Sequence, residues 1–227
     1  MQMSKCVLWF VCACGVVGLV LAQQTKPSAA AAERPRYENN FEKADVGKPP
    51  EELFVLDGGF AVKEEGGNRF LELPGAPLET YGLLFGPTFD PKQDGGIAVS
   101  ARFYGTGKGR RFPTFALGAN GQGGYRLQVS PAKNVLELYK GESEVMASVP
   151  SKWESDSWTV LRLRLQKVKD GEWKIEGKAW KQGAPEPASW AISQIEKAEP
   201  LSGRASIWGS PFAGTPIRFD DLRVTAP

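Results

Sequence analysis

Histidine is absent from all 227 residues, and the three cysteines, Cys6, Cys12 and Cys14, sit together near the start of the chain. Ser-His-Asp and Cys-His nucleophilic machinery needs an imidazole base, and the usual zinc and copper sites need imidazole or thiolate. Beyond Cys14 the chain offers neither, which excludes those chemistries there. Disulfide stapling is excluded on the same ground, so an apolar core has to stabilise the fold. A strong charge of one sign is also missing, since 28 basic against 26 acidic residues give a formal net charge of +2. Nucleic-acid binders carry a basic excess or stripe, so no nucleic-acid partner is expected. The short cluster Lys108-Gly-Arg110-Arg111 reads as solvated loop charge.

The chain opens with Lys5, then an uncharged run from Cys6 to Ala22 that ends Val20-Leu21-Ala22. A basic start, an apolar stretch and a small residue at the cut are the layout of a secretory signal peptide, residues 1–22. Export to a secreted or periplasmic location follows, with no membrane span left after cleavage. Two alternatives stand beside it. One is an uncleaved anchor, because the run is slightly short of the roughly 20 residues that span a bilayer; the other is a lipoprotein box at Val11-Cys12-Ala13-Cys14. Residues 23–36, rich in Ala, Pro, Ser and charge, read as a flexible linker. Residues 37–227 are long enough for one domain with a sizeable core.

From Tyr37 onward, runs rich in Val, Ile, Leu, Phe, Tyr and Trp alternate with Gly, Pro, Asn and Asp. A dozen such runs read as strands, among them FAVKE, RFLEL, YGLLFG, GIAVSARFYG, YRLQVS, NVLELYKG, WTVLRLRLQKV, EWKIEGKAW, GRASIWG and PIRFDDLRVTA. Only the stretch around Ala191 to Ala198 offers a helical turn or two. The spacing and alternation predict an all-β, two-sheet antiparallel sandwich. Gly105-x-Gly107-x-Gly109 and Gly118-x-x-Gly121-x-Gly123-Gly124 lack the strand-to-helix setting that cradles a phosphate, and read as hairpin loops.

Period-two alternation assigns faces. Leu161, Leu163 and Leu165 share one face of their strand, opposite Trp158, Val160, Arg162 and Arg164. In the next strand Trp173 falls with Ile175 and Trp180 falls opposite, which makes Trp173 a core residue and Trp180 not. Trp153, Trp190 and Trp208 lie in or near turns and are expected to plug the edges of the sandwich. If the polar faces line one sheet, they bring Arg102, Tyr104, Arg126, Glu137, Arg162 and Trp180 together. Aromatic faces stack on the C–H patches of a pyranose, and Arg or Glu hydrogen-bond its hydroxyls. The same residues also suit surface cation–π and snorkelling pairs with no ligand.

The early YENNFEKADVGKPPEEL, the SWTVLRLRLQ and EWKIEGKAWKQGAPEPASW hairpin and the closing FDDLRV resemble the concanavalin A-like lectin/glucanase superfamily. Within it, the likeness is to laminin-G-like and 3-keto-disaccharide hydrolase-like secreted bacterial domains. The resemblance implies a jelly-roll sandwich, often with saccharide on the concave sheet and sometimes with a structural calcium. Glucanases of this fold carry E-x-D-x-x-E on one strand, a motif the chain lacks; Glu137, Glu142 and Glu144 approach it in density only. Asp220 and Asp221 beside Glu38 are the calcium candidates through oxygen ligands, against a reading in which one aspartate faces solvent and the other caps a bulge. The expected function is non-catalytic binding of a carbohydrate or glycan. Alternatives are a glycoside-acting hydrolase or lyase, with Glu137 as its acid/base, and a structural cell-envelope domain.

Overall fold

The computed structural model describes residues 35–76 and 79–227. The signal peptide at 1–22 and nearly all of the linker lie outside the described residues. Arg36, assigned to the linker, already belongs to the folded part: its N–H donates to the Val224 carbonyl at 2.7 Å and its guanidinium pairs with Asp94 at 2.7 Å. Among the described residues no helix is long and apolar enough to cross a membrane.

Two antiparallel sheets pack face to face. The eight-stranded sheet runs β13 (Ile192–Glu196), β12 (Glu172–Lys181), β11 (Ser157–Lys169), β6 (Gly96–Gly105), β15 (Ile217–Thr225), β4 (Asn68–Leu73), β3 (Ala61–Glu65), with β1 (Tyr37–Asn39) also paired to β15. The seven-stranded sheet runs β10 (Glu144–Pro150), β9 (Val135–Lys140), β8 (Tyr125–Ser130), β7 (Thr114–Ala119), β14 (Gly203–Ser210), β5 (Tyr81–Phe89), β2 (Phe54–Asp57). The expected all-β sandwich is present, and all of the anticipated strands occur.

Three strands were not anticipated. β2 and β10 are edge strands, where one flank has no partner and little alternation is needed to bury a face. β13 replaces the helical turn expected around Ala191 to Ala198. Its residues pair with β12 from Trp173↔Glu196 to Gly177↔Ile192. A sheet edge offers ready backbone partners, whereas so short a helix carries the full cost of nucleation.

The expected inner faces meet in one core. Leu161, Leu163 and Leu165 on β11 are fully buried, as are Leu117 and Leu127 on the facing sheet. Phe103 on β6 stacks on Phe115 on β7 at 5.1 Å across the gap, and Phe219 closes on Phe103 edge-on at 5.5 Å. Trp173 is 1% exposed and meets Phe89 edge-on at 6.0 Å, as its facing predicted. Burying each such side chain contributes roughly 1.5–3 kcal/mol, which is how a fold without disulfides is held. Trp153 packs against Phe112 and Phe115 at the rim, the plugging role expected of it.

Candidate functional site

The six residues expected to share a face are divided between the two outer surfaces. Arg102, Tyr104, Arg162 and Trp180 point away from the core on β6, β11 and β12 of the eight-stranded sheet, whereas Arg126 and Glu137 do so on β8 and β9 of the seven-stranded sheet. They therefore cannot form one site. Alternation along a strand says which side chains face the core, but not which of the two sheets the strand joins.

On the eight-stranded sheet, Trp180, Val160, Arg102 and Asp220 follow one another across four strands. Trp180 is thus roughly 10 Å, or two inter-strand spacings, from Arg102. The charges here answer one another. Arg102 Nη2 donates to Asp220 Oδ2 at 2.6 Å and Asn68 Oδ1 at 3.1 Å, and its Nε lies 2.9 Å from Asp221. Its guanidinium also lies over Trp158 at 4.7 Å, and Tyr104 tilts against the same indole at 5.6 Å. Arg164 and Lys174 both reach Glu176, while Arg162 and Lys178 both reach Glu186. Trp190 is not an edge plug, because it lies over Arg164 and Lys178 at 4.7 and 4.6 Å. Lys178 Nζ donates to the Pro187 carbonyl at 2.6 Å, so the segment between β12 and β13 folds back over this surface. The cation–π and snorkelling reading describes this face.

The calcium candidates fall here too. Asp220 is completely buried, bonded by Arg102 and Asn68, and accepts the Asp221 N–H at 2.7 Å. That bond caps a bulge in β15, where Asp221 takes a left-handed φ of 50° and its side chain is 56% exposed. Burial pushes the Asp220 carboxyl above its ordinary value, against the pull of Asn68 and Arg102. Glu38 borders a neighbouring cleft of about 340 Å³ along with Arg102, Asp221 and Arg223. A calcium site needs several converging oxygens, and here Arg102 pairs with both Asp220 and Asp221. Among the described residues no group of three or more His, Cys, Asp or Glu is placed to hold a metal; Asp220 caps the bulge and Asp221 is exposed, the arrangement of the alternative reading of this pair.

The outer face of the seven-stranded sheet is built differently. One row across it reads Gly82, Trp208, Ala116, Gln128, Glu137, and the next reads Leu84, Ser206, Gly118, Arg126, Tyr139. Gly118, expected in a hairpin loop, is in fact mid-strand. The small residues let an indole lie against the backbone. A Cβ on Gly82 would come within 2.4 Å of Trp208 Cε3, and one on Gly118 within 3.4 Å of its Nε1. Trp208 Nε1 donates to Ser206 Oγ at 2.9 Å, which sets the ring's orientation. The Arg126 guanidinium is flanked by Trp208 at 5.7 Å and Tyr139 at 5.2 Å.

Beside this cluster Glu137, only 4% exposed, accepts from Ser130 Oγ at 2.6 Å and from Lys133 Nζ at 3.1 Å. Gln128 Nε2 donates to the same Ser130 hydroxyl at 2.9 Å. Burial alone would raise the Glu137 carboxyl, but bonds from Ser130, Lys133 and Tyr139 outweigh it and hold the group below its ordinary value. Burial and the adjoining Glu137 raise the Tyr139 hydroxyl in turn. The face therefore combines an aromatic plate, a cation, an amide and a fixed carboxylate. Trp208 was expected at an edge, yet GRASIWG already alternates Ala205 and Ile207 against Ser206 and Trp208, and that period was the signal for its position.

No protein-family profile and no curated protein matches the chain. Solved structures do. The metal-free carbohydrate recognition domain of Emp46p matches with a TM-score of 0.59 at 13% identity, covering 86% of this chain and 98% of that one. The fold is a concanavalin A-like sandwich. The carbohydrate recognition domain of Emp47p matches with a TM-score of 0.55 at 12% identity, over 88% of this chain and 99% of that one. Bacteroides ovatus Xyloglucan PUL GH43B matches 90% of this chain through 42% of its own, with a TM-score of 0.54 at 13% identity. At these identities the likeness is one of fold, and function has to be argued from the site.

Proposed function

We propose that this chain is a secreted or periplasmic carbohydrate-binding module that takes its ligand, without catalysis, on the outer face of the seven-stranded sheet. The observation that carries this is Trp208 laid flat over Gly82 beside Arg126, Tyr139, Gln128 and Glu137. A seated indole offers its other face to the C–H patches of a sugar ring with little ordering left to do. The polar groups around it suit hydroxyls. The carbohydrate recognition domains of Emp46p and Emp47p, which share the fold, support the reading. Glu137 is held low, which does not suit the general-acid half of the acid/base role that the hydrolase alternative would give it. Export is supported by the N-terminal pattern, and a near-neutral net charge gives nucleic acid no purchase.

The test is a glycan-array screen of the purified chain beside its Trp208→Ala variant. Binding that disappears in the variant while its melting temperature stays close to wild type supports the site. Unchanged glycan binding without the indole removes this face from consideration, and no binding to any glycan returns weight to a structural envelope domain with a protein partner.

A further inference from the structure

The arginines of the two outer faces differ in how their charge is met. On the eight-stranded sheet Arg102 has Asp220 and Asp221, Arg162 has Glu186, Arg164 has Glu176 and Arg218 has Glu65. Arg126 on the seven-stranded sheet has no carboxylate within ion-pair distance among the described residues, and the Glu142 carboxylate attracts it only from farther off. Its Nη2 donates to the backbone carbonyl of Glu142 at 3.0 Å. Arg204, which also lacks a carboxylate, is a structural clip, with Nε on the Gly86 carbonyl at 2.7 Å and Nη2 on that of Glu52 at 2.8 Å. The carboxylate in the next row cannot serve Arg126, because Glu137 is already engaged by Lys133 and Ser130.

A half-buried guanidinium with one backbone acceptor is an expensive arrangement, since desolvation of a cation is offset only by counter-charge and acceptors. Burial indeed holds Arg126 below the ordinary arginine value, although it stays charged at neutral pH. The rings of Trp208 and Tyr139 supply part of the compensation. What the site lacks is an anion with two acceptor oxygens, the shape a guanidinium matches in a bidentate pair. We infer that this face selects saccharides bearing a carboxylate, with Arg126 holding the acid group while the sugar ring lies on Trp208. The inference rests on the carbohydrate-binding reading above and narrows its ligand to uronate-type sugars.

Calorimetric titration of the whole purified chain with oligomers of galacturonate, glucuronate and mannuronate, each beside its carboxyl-reduced neutral counterpart, separates the two claims. Tighter binding of the acid form in at least one pair, on the order of ten- to a hundredfold, is the expected result for a charge-assisted hydrogen-bonded pair. The preference should shrink as salt is added. It should fall in Arg126→Lys, which keeps the charge but loses the planar fork, and vanish in Arg126→Gln. Equal binding of acid and reduced forms overturns the acidic-sugar inference and leaves carbohydrate binding intact. No binding of either form in any pair overturns both, and an acid preference that survives Arg126→Gln removes Arg126 from its role. The matched ligands are compared on the unaltered chain, so that arm does not depend on any variant folding.

Discussion

Gly82→Ala tests whether Trp208 is the plate on which a ligand lies. The added Cβ would sit 2.4 Å from Cε3, 2.6 Å from Cζ3 and 2.8 Å from Cδ2 of the indole. Carbon atoms in contact prefer about 3.5–4.0 Å, so the ring has to move by about 1 Å or more. That movement strains or breaks the 2.9 Å bond from Nε1 to Ser206 and pulls the ring from its place beside Arg126. Overpacking of this kind costs about 1–3 kcal/mol, partly offset by the roughly 0.5–1 kcal/mol that alanine gains over glycine inside a strand. Net destabilisation of about 0–2.5 kcal/mol is therefore expected in urea unfolding, with a changed near-UV circular dichroism spectrum and glycan affinity weakened on the order of tenfold as stacking is lost. A variant with wild-type stability, wild-type near-UV spectrum and wild-type affinity would refute the seating of Trp208 on Gly82 and the plate with it.

Three further outcomes concern contacts elsewhere in the fold. Trp173→Ala, which empties a fully buried site against Phe89, should cost about 3–5 kcal/mol of unfolding free energy; a neutral result would mean that β12 faces the other way. Glu137 is held below its ordinary value of 4.5, so the stability it contributes is present above that pH and is lost as pH falls through the folded-state value. Glu137→Gln should therefore flatten the acid limb of a stability-against-pH curve, and an unaltered limb would show that its bonds to Ser130 and Lys133 contribute nothing. Adding a chelator should leave the melting temperature unchanged, because Arg102 occupies the carboxylates of Asp220 and Asp221; a drop in Tm would show that a bound metal supports the fold after all.

Much of the fold was legible because strand alternation is a local property. The runs at β6, β11 and β12 announced their inner faces, and Trp173 and Leu161, Leu163 and Leu165 went where the period put them. Local pattern failed where partners decide the outcome. β13 became a strand because the edge of β12 was open to it, and β2 and β10 formed at edges that require no alternation. The candidate site was half legible: Arg126 and Glu137 stand out in the sequence, whereas Trp208, at the end of its strand run beside Gly209, reads as a rim plug.

The sequence by itself determined the class of structure and the chemistry open to it. Period-two runs require sheets, the absence of histidine and of cysteine beyond Cys14 removes whole groups of mechanisms, and balanced charge argues against a nucleic-acid partner. Only the tertiary structure decided which polar faces belong together. Strands forty or more residues apart in the chain lie side by side, as β6 and β11 do through Val99↔Leu163, while β8, nearer in the chain to β6, joins the opposite sheet. Which sheet a strand joins depends on hydrogen bonds and packing between distant segments, and those long-range terms leave no mark in the period of any single strand.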